Sequence, residues 1–193
     1  RQDKQFKEGE PISAAILAQL ISTLCDKVIT IDPHKEHILN FFTVPAESVS
    51  AVPSIVAYLK NKEIDLVLSP DHGALNRAKK AAELLHCDVD YLEKKRIDGN
   101  TISISPKNLD VKGRTVAIID DMISTGGTMA EAINQLRTQK AHTIYVACTH
   151  GLFAGSAIEK LQKAGCDEII ATDTIQSSFS IVSVTSVLNR IFD

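Results

Sequence analysis

The stretch VAIIDDMISTGGT, Val116–Thr128, decides how this chain is to be read. Its apolar start, taken with Thr115 as a strand over Thr115–Ile119, is a short β-branched run of the kind a strand covered on both faces needs. The strand end delivers two adjacent carboxylates, Asp120 and Asp121, and then the small residues Ser124, Thr125, Gly126, Gly127 and Thr128 run into a helix. Backbone N–H groups, hydroxyls and a helix N-terminus can together wrap a phosphate, and glycines allow the close backbone approach. The carboxylates would repel that phosphate, so they must serve another part of the same ligand. Vicinal sugar hydroxyls donate well to a carboxylate, and a sugar phosphate satisfies both halves of the string. No GK[ST] follows, so this is not the nucleotide P-loop, nor is it the dinucleotide pattern GxGxxG. The alternative is an acidic strand end before a Gly-rich helix start, with no ligand at all.

On either side of this string, strands and helices alternate. Upstream, Pro11–Leu24 reads as a helix, with Ile12, Ile16, Leu17, Leu20, Ile21 and Leu24 at helical spacing. Lys27–Ile31 reads as a strand, Pro53–Lys60 as a helix, Asp65–Ser69 as a strand, Ala74–His86 as a helix and Val89–Leu92 as a short strand. Downstream, the expected order is helix Gly127–Lys140, strand His142–Cys148, helix Ala154–Ala164, strand Glu168–Ala171, and a last helix Ser183–Ile191 capped by Ser183. Between Glu93 and Val111 the pattern lapses into an irregular excursion with room for a short hairpin. Alternating strands and helices predict an α/β fold, a parallel sheet covered by helices on both faces. Such sheets bind ligands beyond the carboxyl ends of their strands, which directs attention to the residues after Ile31, Ser69 and Ile119.

A chain of 193 residues can bury roughly 70% of its unfolded surface, enough for a core without staples. Its net charge of −3 and pI near 6.1 provide no basic field for a nucleic-acid backbone. No apolar run approaches a membrane span and no signal segment opens the chain, so no membrane association is expected. Cys25, Cys87, Cys148 and Cys166 form no CxxC pair and read as reduced core residues. The chain opens on Arg1 rather than Met and is expected to be a piece of a longer protein.

The string Val116–Thr128 closely resembles the phosphoribosyl-pyrophosphate loop of type I phosphoribosyltransferases and of ribose-phosphate pyrophosphokinases. There the acidic residues hold the ribose hydroxyls and the small residues hold the 5-phosphate. Four further segments resemble the pyrophosphokinases in particular. RQDKQFKEGEPIS, at Arg1–Ser13, is similar to a segment that contributes Arg and Gln to ATP binding, matched by Arg1 and Gln2; Lys4 stands where Arg is more usual. VITIDPHKEHILNFF, Val28–Phe42, resembles a strand and loop whose His binds the magnesium of MgATP, matched by His34. LSPDHGAL, Leu68–Leu75, looks like a PDxG loop whose Asp contributes to metal binding, matched by Asp71. Lys94 and Arg96 fit the Lys-x-Arg start of a loop that closes over the phosphates, with Arg96 also meeting the sugar phosphate. Without the resemblance, the leader and the basic triplet Lys94–Arg96 read as solvated charge, and His34 with His37 as a loop pair.

The resemblance runs over essentially the whole chain, with STGGT where DTxGT is commoner, a form associated with archaeal members; Ser124 replaces an acidic residue. It implies a type I phosphoribosyltransferase-like fold with two related lobes, the first incomplete. Residues 1–50 would be the remainder of the N-terminal lobe, 51–182 the C-terminal lobe, and 183–193 a terminal helix packing back on the first lobe. It implies transfer of the diphosphoryl group of MgATP to the 1-hydroxyl of ribose 5-phosphate, with Mg2+, a cytoplasmic location and a homo-oligomer. This truncated chain would itself be inactive. The rival readings are a phosphoribosyltransferase that consumes the product with a nucleobase, and a non-catalytic subunit associated with the synthetase.

Overall fold

A computed structural model describes residues 2–98, 101–105 and 110–192, with side chains described outside 93–105, 190 and 192. The chain divides into two compact units, Arg1–Ser50 and Ala51–Asp193.

The first unit holds helix α1 (Ser13–Ser22) and two parallel strands, β1 (Val28–Ile31) and β2 (Ala46–Val49), in register from Val28↔Ala46 to Ile31↔Val49. A single 3-10 segment, Glu36–Phe41, lies between the strands. α1 begins two residues later than the apolar spacing predicts. Ala18 and Ser22 are its buried residues, whereas Ile16, Leu17 and Leu20 of its apolar stripe are more than half exposed. Ser22 explains the choice of face: its hydroxyl donates to the Ala18 carbonyl at 2.7 Å and accepts the Thr43 N–H at 3.0 Å. β2, sequence AESV, carries too little apolar signal to be read as a strand beforehand.

The second unit is built on a six-stranded sheet in which every neighbouring pair is parallel. Its elements are α2 (Val52–Leu59), β3 (Leu66–Ser69), α3 (Leu75–Leu85), β4 (Asp88–Tyr91), the hairpin β5 (Glu93–Asp98) and β6 (Thr101–Ser105), β7 (Thr115–Ile123), α4 (Gly127–Thr138), β8 (Thr143–Gly151), α5 (Ala157–Lys163), β9 (Glu168–Thr172), β10 (Ser180–Val182) and α6 (Thr185–Phe192). The order across the sheet is β10-β9-β8-β7-β3-β4, and the antiparallel hairpin stands apart from it.

Alternation along the strands sends side chains to two cores. On one face Leu66, Leu68, Val116, Ile118, Ile144 and Val146 meet Ile133 and Leu136 of α4 and Leu161 of α5. On the other, Val67, Ala117, Ile119 and Ala147 meet Ile55 and Leu59 of α2 and Ala78, Ala81 and Ala82 of α3. The small alanines of α3 let that helix sit close to the sheet. The α/β reading, with helices on both faces, is what the unit shows.

Several boundaries differ from expectation. β7 runs to Ile123 instead of ending at Ile119, because β8 is equally long and pairs it as far as Ile123↔Gly151. Asp120 and Asp121 therefore lie within a strand, not beyond its end. α5 starts at Ala157, since Phe153 (φ +44°) and Gly155 (φ +60°) turn the chain where a helix was expected from Ala154. α6 starts at Thr185, and the Ser183 hydroxyl accepts the Thr185 N–H at 3.3 Å. Ser54 and Ser186 hydroxyls, 3.0 Å apart, join α6 to α2 in this unit. Of the four cysteines, all free thiols, only Cys148 is fully buried; the others are half-buried.

Candidate active site

The strand order places a reversal between β3 and β7. From β3 the chain steps outward through α3 to the edge strand β4; from β7 it proceeds the opposite way through α4 to β8. Helices leaving neighbouring strands in opposite directions open a crevice at the carboxyl ends, where open α/β sheets take their ligands. β3 pairs with β7 only to Leu68↔Ile118. From Ile119 on, β7 thus has no partner in β3, and its two carboxylates stand where the sheet edge falls away.

Asp121 is 5% exposed and lies on the α3 face of the sheet, following Ala117 and Ile119 in alternation; Asp120 points the other way and is half-buried. The Asp121 N–H donates to Asp120 Oδ1 at 2.8 Å. Burial pushes the Asp120 carboxyl up to about 7, helped by its hydrogen bond and like charge with Asp121, while the Arg77 guanidinium acts in the opposite sense. Burial and Asp121 both favour the protonated form of Asp120 in the ligand-free site. Hydroxyl donors from a ligand would favour the ionised form.

The loop after β7 is fixed by backbone. Gly126 has φ +73°, and a Cβ there would lie 3.1 Å from the Ala157 carbonyl oxygen, so any side chain would be strained and would press on Ala157. Gly127 opens α4 with nothing within 4 Å of the place a Cβ would take. No side chain caps α4, and the first N–H groups of any helix lack intrahelical acceptors, so this terminus suits an anion. Thr125, Gly127 and Thr128 are exposed. From behind, the Phe153 and Ala154 N–H groups donate to the Ile123 and Ser124 carbonyls, each at 3.0 Å, and Lys160 Nζ reaches the Thr125 carbonyl at 3.3 Å.

Beyond β3 the second segment turns sharply. Ser69 Oγ donates to the Asp71 carbonyl at 2.5 Å, and Asp71 Oδ1 accepts the Ala74 N–H at 3.1 Å. His72 stacks edge-on against Tyr91, centroids 5.4 Å apart. Among the described residues no group of three or more His, Cys, Asp or Glu could hold a metal ion. Asp71 nonetheless supplies a hard carboxylate oxygen, the donor Mg2+ prefers when substrate phosphates and water complete its shell.

The second unit thus brings Asp71, Asp120, Asp121, Ser124, Thr125, Gly126, Gly127 and Thr128 to the carboxyl ends of two neighbouring strands. Gln2 and the exposed His34 belong to the first unit, where the preceding Asp32 (φ +40°) accepts the Ser50 hydroxyl at 3.0 Å. Arg1 lies outside the described residues. Lys94 and Arg96 lie on β5, their backbones opposite Ile104 and Ile102; their side chains are outside the described residues. Arg77 and Lys160 were not read from the sequence as site residues. Arg77 could have been found from its spacing, one turn before the buried Ala81.

The phosphoribosyl transferase domain family matches residues 51–188, the second unit almost entire. Over nearly its whole length the chain is 46% identical to the ribose-phosphate pyrophosphokinase of Methanopyrus kandleri and 42% identical to ribose-phosphate pyrophosphokinase 2 of Archaeoglobus fulgidus, covering 95% and 97% of this chain. The chain belongs to the ribose-phosphate pyrophosphokinase family. It spans 64% and 69% of the length of those two relatives, about two thirds. Among solved structures of the family, the phosphoribosylpyrophosphate synthetase of Mycobacterium smegmatis superposes with a TM-score of 0.81 at 30% identity, over 98% of this chain and 65% of that one. The α/β fold, and the family expected from Val116–Thr128 together with the four pyrophosphokinase-like segments, agree with these relatives.

Proposed function

We propose that the protein carrying this chain is a ribose-phosphate pyrophosphokinase in activity as well as in family, moving the diphosphoryl group of MgATP to the 1-hydroxyl of ribose 5-phosphate to give phosphoribosyl pyrophosphate and AMP. The observation that carries this is the juxtaposition of the paired carboxylates with the uncapped start of α4, Asp120 and Asp121 on β7 followed within a few residues by Gly126 and Gly127. That arrangement suits a ligand with hydroxyls at one end and a phosphate at the other. The curated relatives at 46% and 42% identity bear the corresponding names.

In this reading the Ser124–Thr128 backbone and hydroxyls hold the 5-phosphate, and the carboxylates accept from the ribose hydroxyls, which fixes the face on which the 1-hydroxyl is presented. Phosphoryl-type transfer asks a protein mainly for positioning and charge neutralisation. Lys94 and Arg96 supply the second, Arg96 also meeting the sugar phosphate; Arg1, Gln2 and His34 serve ATP. Asp71 and His34 are the residues assigned to Mg2+, which when bound neutralises phosphate charge. Water must be kept from the nucleotide, a reason for the segment after β4 to cover it. Residues 1–50 form part of an N-terminal lobe, 51–182 a C-terminal lobe and 183–193 its terminal helix. The working protein is a cytoplasmic homo-oligomer; no helix among the described residues is long and apolar enough to cross a membrane.

The test is to incubate the intact protein with Mg2+, ATP and ribose 5-phosphate and to follow phosphorus NMR. AMP and phosphoribosyl pyrophosphate should appear together in equal amounts. A reaction that needs a nucleobase and releases pyrophosphate would replace this reading with the transferase.

A further inference from the structure

Arg77 is a charged residue that the sugar-phosphate reading leaves unused. It is the third residue of α3, the helix that leaves β3 at the reversal in strand order. Ala81, one turn later, is fully buried against the sheet, and Ala78 beside it is as well, so Arg77 leaves α3 on its sheet-facing side. Long helical side chains lean back toward the helix N-terminus, which here is the end where β3 and β7 finish. Its charge is felt by Asp120. Its Nε is buried, and among the described residues no hydrogen-bond acceptor reaches it.

A buried guanidinium donor without an acceptor costs stability, and such groups in a native protein call for an explanation. The nearby carboxylates account for a positive charge in this place but not for a donor left without a partner. They also create a need, because any phosphate entering beside Asp120 and Asp121 meets their repulsion. A planar, permanently charged fork is the group best suited to offset it while fixing the oxygen's position.

We infer that Arg77 is a further substrate-binding residue of this site, its guanidinium on the sheet-facing side of α3 taking a phosphate oxygen of the bound substrate through the buried Nε–H. The inference rests on the proposed function for the choice of substrates. The phosphate has two sources, ribose 5-phosphate or the nucleotide, and binding to each separates them.

The experiment titrates the intact protein and its Arg77→Gln variant with ribose 5-phosphate alone and with a non-hydrolysable ATP analogue plus Mg2+, by calorimetry. Ligand-free thermal unfolding is followed in parallel. The variant should lose at least tenfold in affinity for one of the two ligands and less than twofold for the other, the sensitive ligand naming the source. Its ligand-free midpoint should be unchanged or higher, since a costly donor has gone. Affinities within twofold of the parent for both ligands overturn the inference. So does equal weakening of both with a lowered midpoint, which would make Arg77 a structural partner of the carboxylates. If the Gln variant does not fold, Arg77→Lys, which keeps the charge and loses the fork, is read by the same criteria. A parent that binds both ligands but forms no AMP defeats the proposed reaction and leaves Arg77 decided by binding; a parent that binds neither defeats both.

Discussion

Gly126 sits against Ala157: a side-chain carbon at position 126 would lie 3.1 Å from the Ala157 carbonyl oxygen and 3.3 Å from its Cβ. The start of α4 is thereby seated on the start of α5, with φ +73° at the contact. Gly126→Ala should destabilise the protein by about 1–3 kcal/mol, through left-handed strain and overpacking together. Gly127→Ala, with open space around it, should stay within about 0.5 kcal/mol. Urea midpoints check both, and equal losses at the two positions would mean that the contact does not constrain the loop.

The Asp120 and Asp121 pair predicts an unusual dependence on pH. Asp120 is held up to about 7 by burial and by Asp121, against about 3.9 in an unfolded chain. Between those values the native state binds more protons than the unfolded one. The stabilisation is complete below about pH 4 and is lost as pH rises through about 7. Ligand-free protein should therefore lose stability from pH 5 to pH 8 relative to Asp120→Asn, as denaturation midpoints across that range would show. Parallel curves for the two proteins would mean that Asp120 is not held above its ordinary range. The same variant should bind ribose 5-phosphate more weakly, because an amide accepts through one oxygen where a carboxylate offers two.

Lys94 should matter to turnover and not to folding. Lys94→Ala in the intact protein should leave stability within about 0.5 kcal/mol and lower kcat and kcat/KM together. Losing a donor realised in the transition state costs roughly 3–4 kcal/mol, a hundred- to thousandfold in rate. Lys95→Ala is the control, expected to be nearly silent. Equal damage from both would reduce the triplet to a charged segment.

Arg137 predicts the opposite division. Its guanidinium donates to the carbonyls of Gly165, Ala141 and His142 and pairs with Asp167 at 2.5 Å, tying the end of α4 to the turns before β8 and β9. Arg137→Ala should cost about 2–3 kcal/mol in stability, and Arg137→Lys should recover little, since an ammonium cannot span that fork. KM for either substrate should stay unchanged at temperatures where the variant is folded. A Lys variant as stable as the parent would show that charge alone suffices.

Much of this was legible because the second unit is locally consistent. The runs Leu66–Leu68 and Val116–Ile119 are apolar on both faces, as strands of a covered parallel sheet must be. What escaped detection depended on partners distant in sequence. β7 continues through Asp120 and Asp121 because β8 continues beside it, and no local pattern reveals a neighbour's length. β10, only three residues long, exists through its pairing with β9. Arg77 does not stand out in the sequence because an arginine in a helix ordinarily faces water, and its charge bears on Asp120 only once α3 and β7 are brought together. In the first unit the apolar stripe of α1 was correctly seen as helical, but sequence does not say which face a helix buries when alanine and serine offer a second one.

The tether behind the phosphate loop also shapes how this protein can drift over generations. Phe153 and Ala154 hold Ile123 and Ser124 through main-chain N–H groups alone, at 3.0 Å each. Almost any residue carries that group, so selection on the loop's shape should bear lightly on the side chain at 154, whereas position 153 must also admit φ +44° and a ring packed against Phe179. Proline, which has no N–H to give, is a replacement such a lineage could not accept at either place.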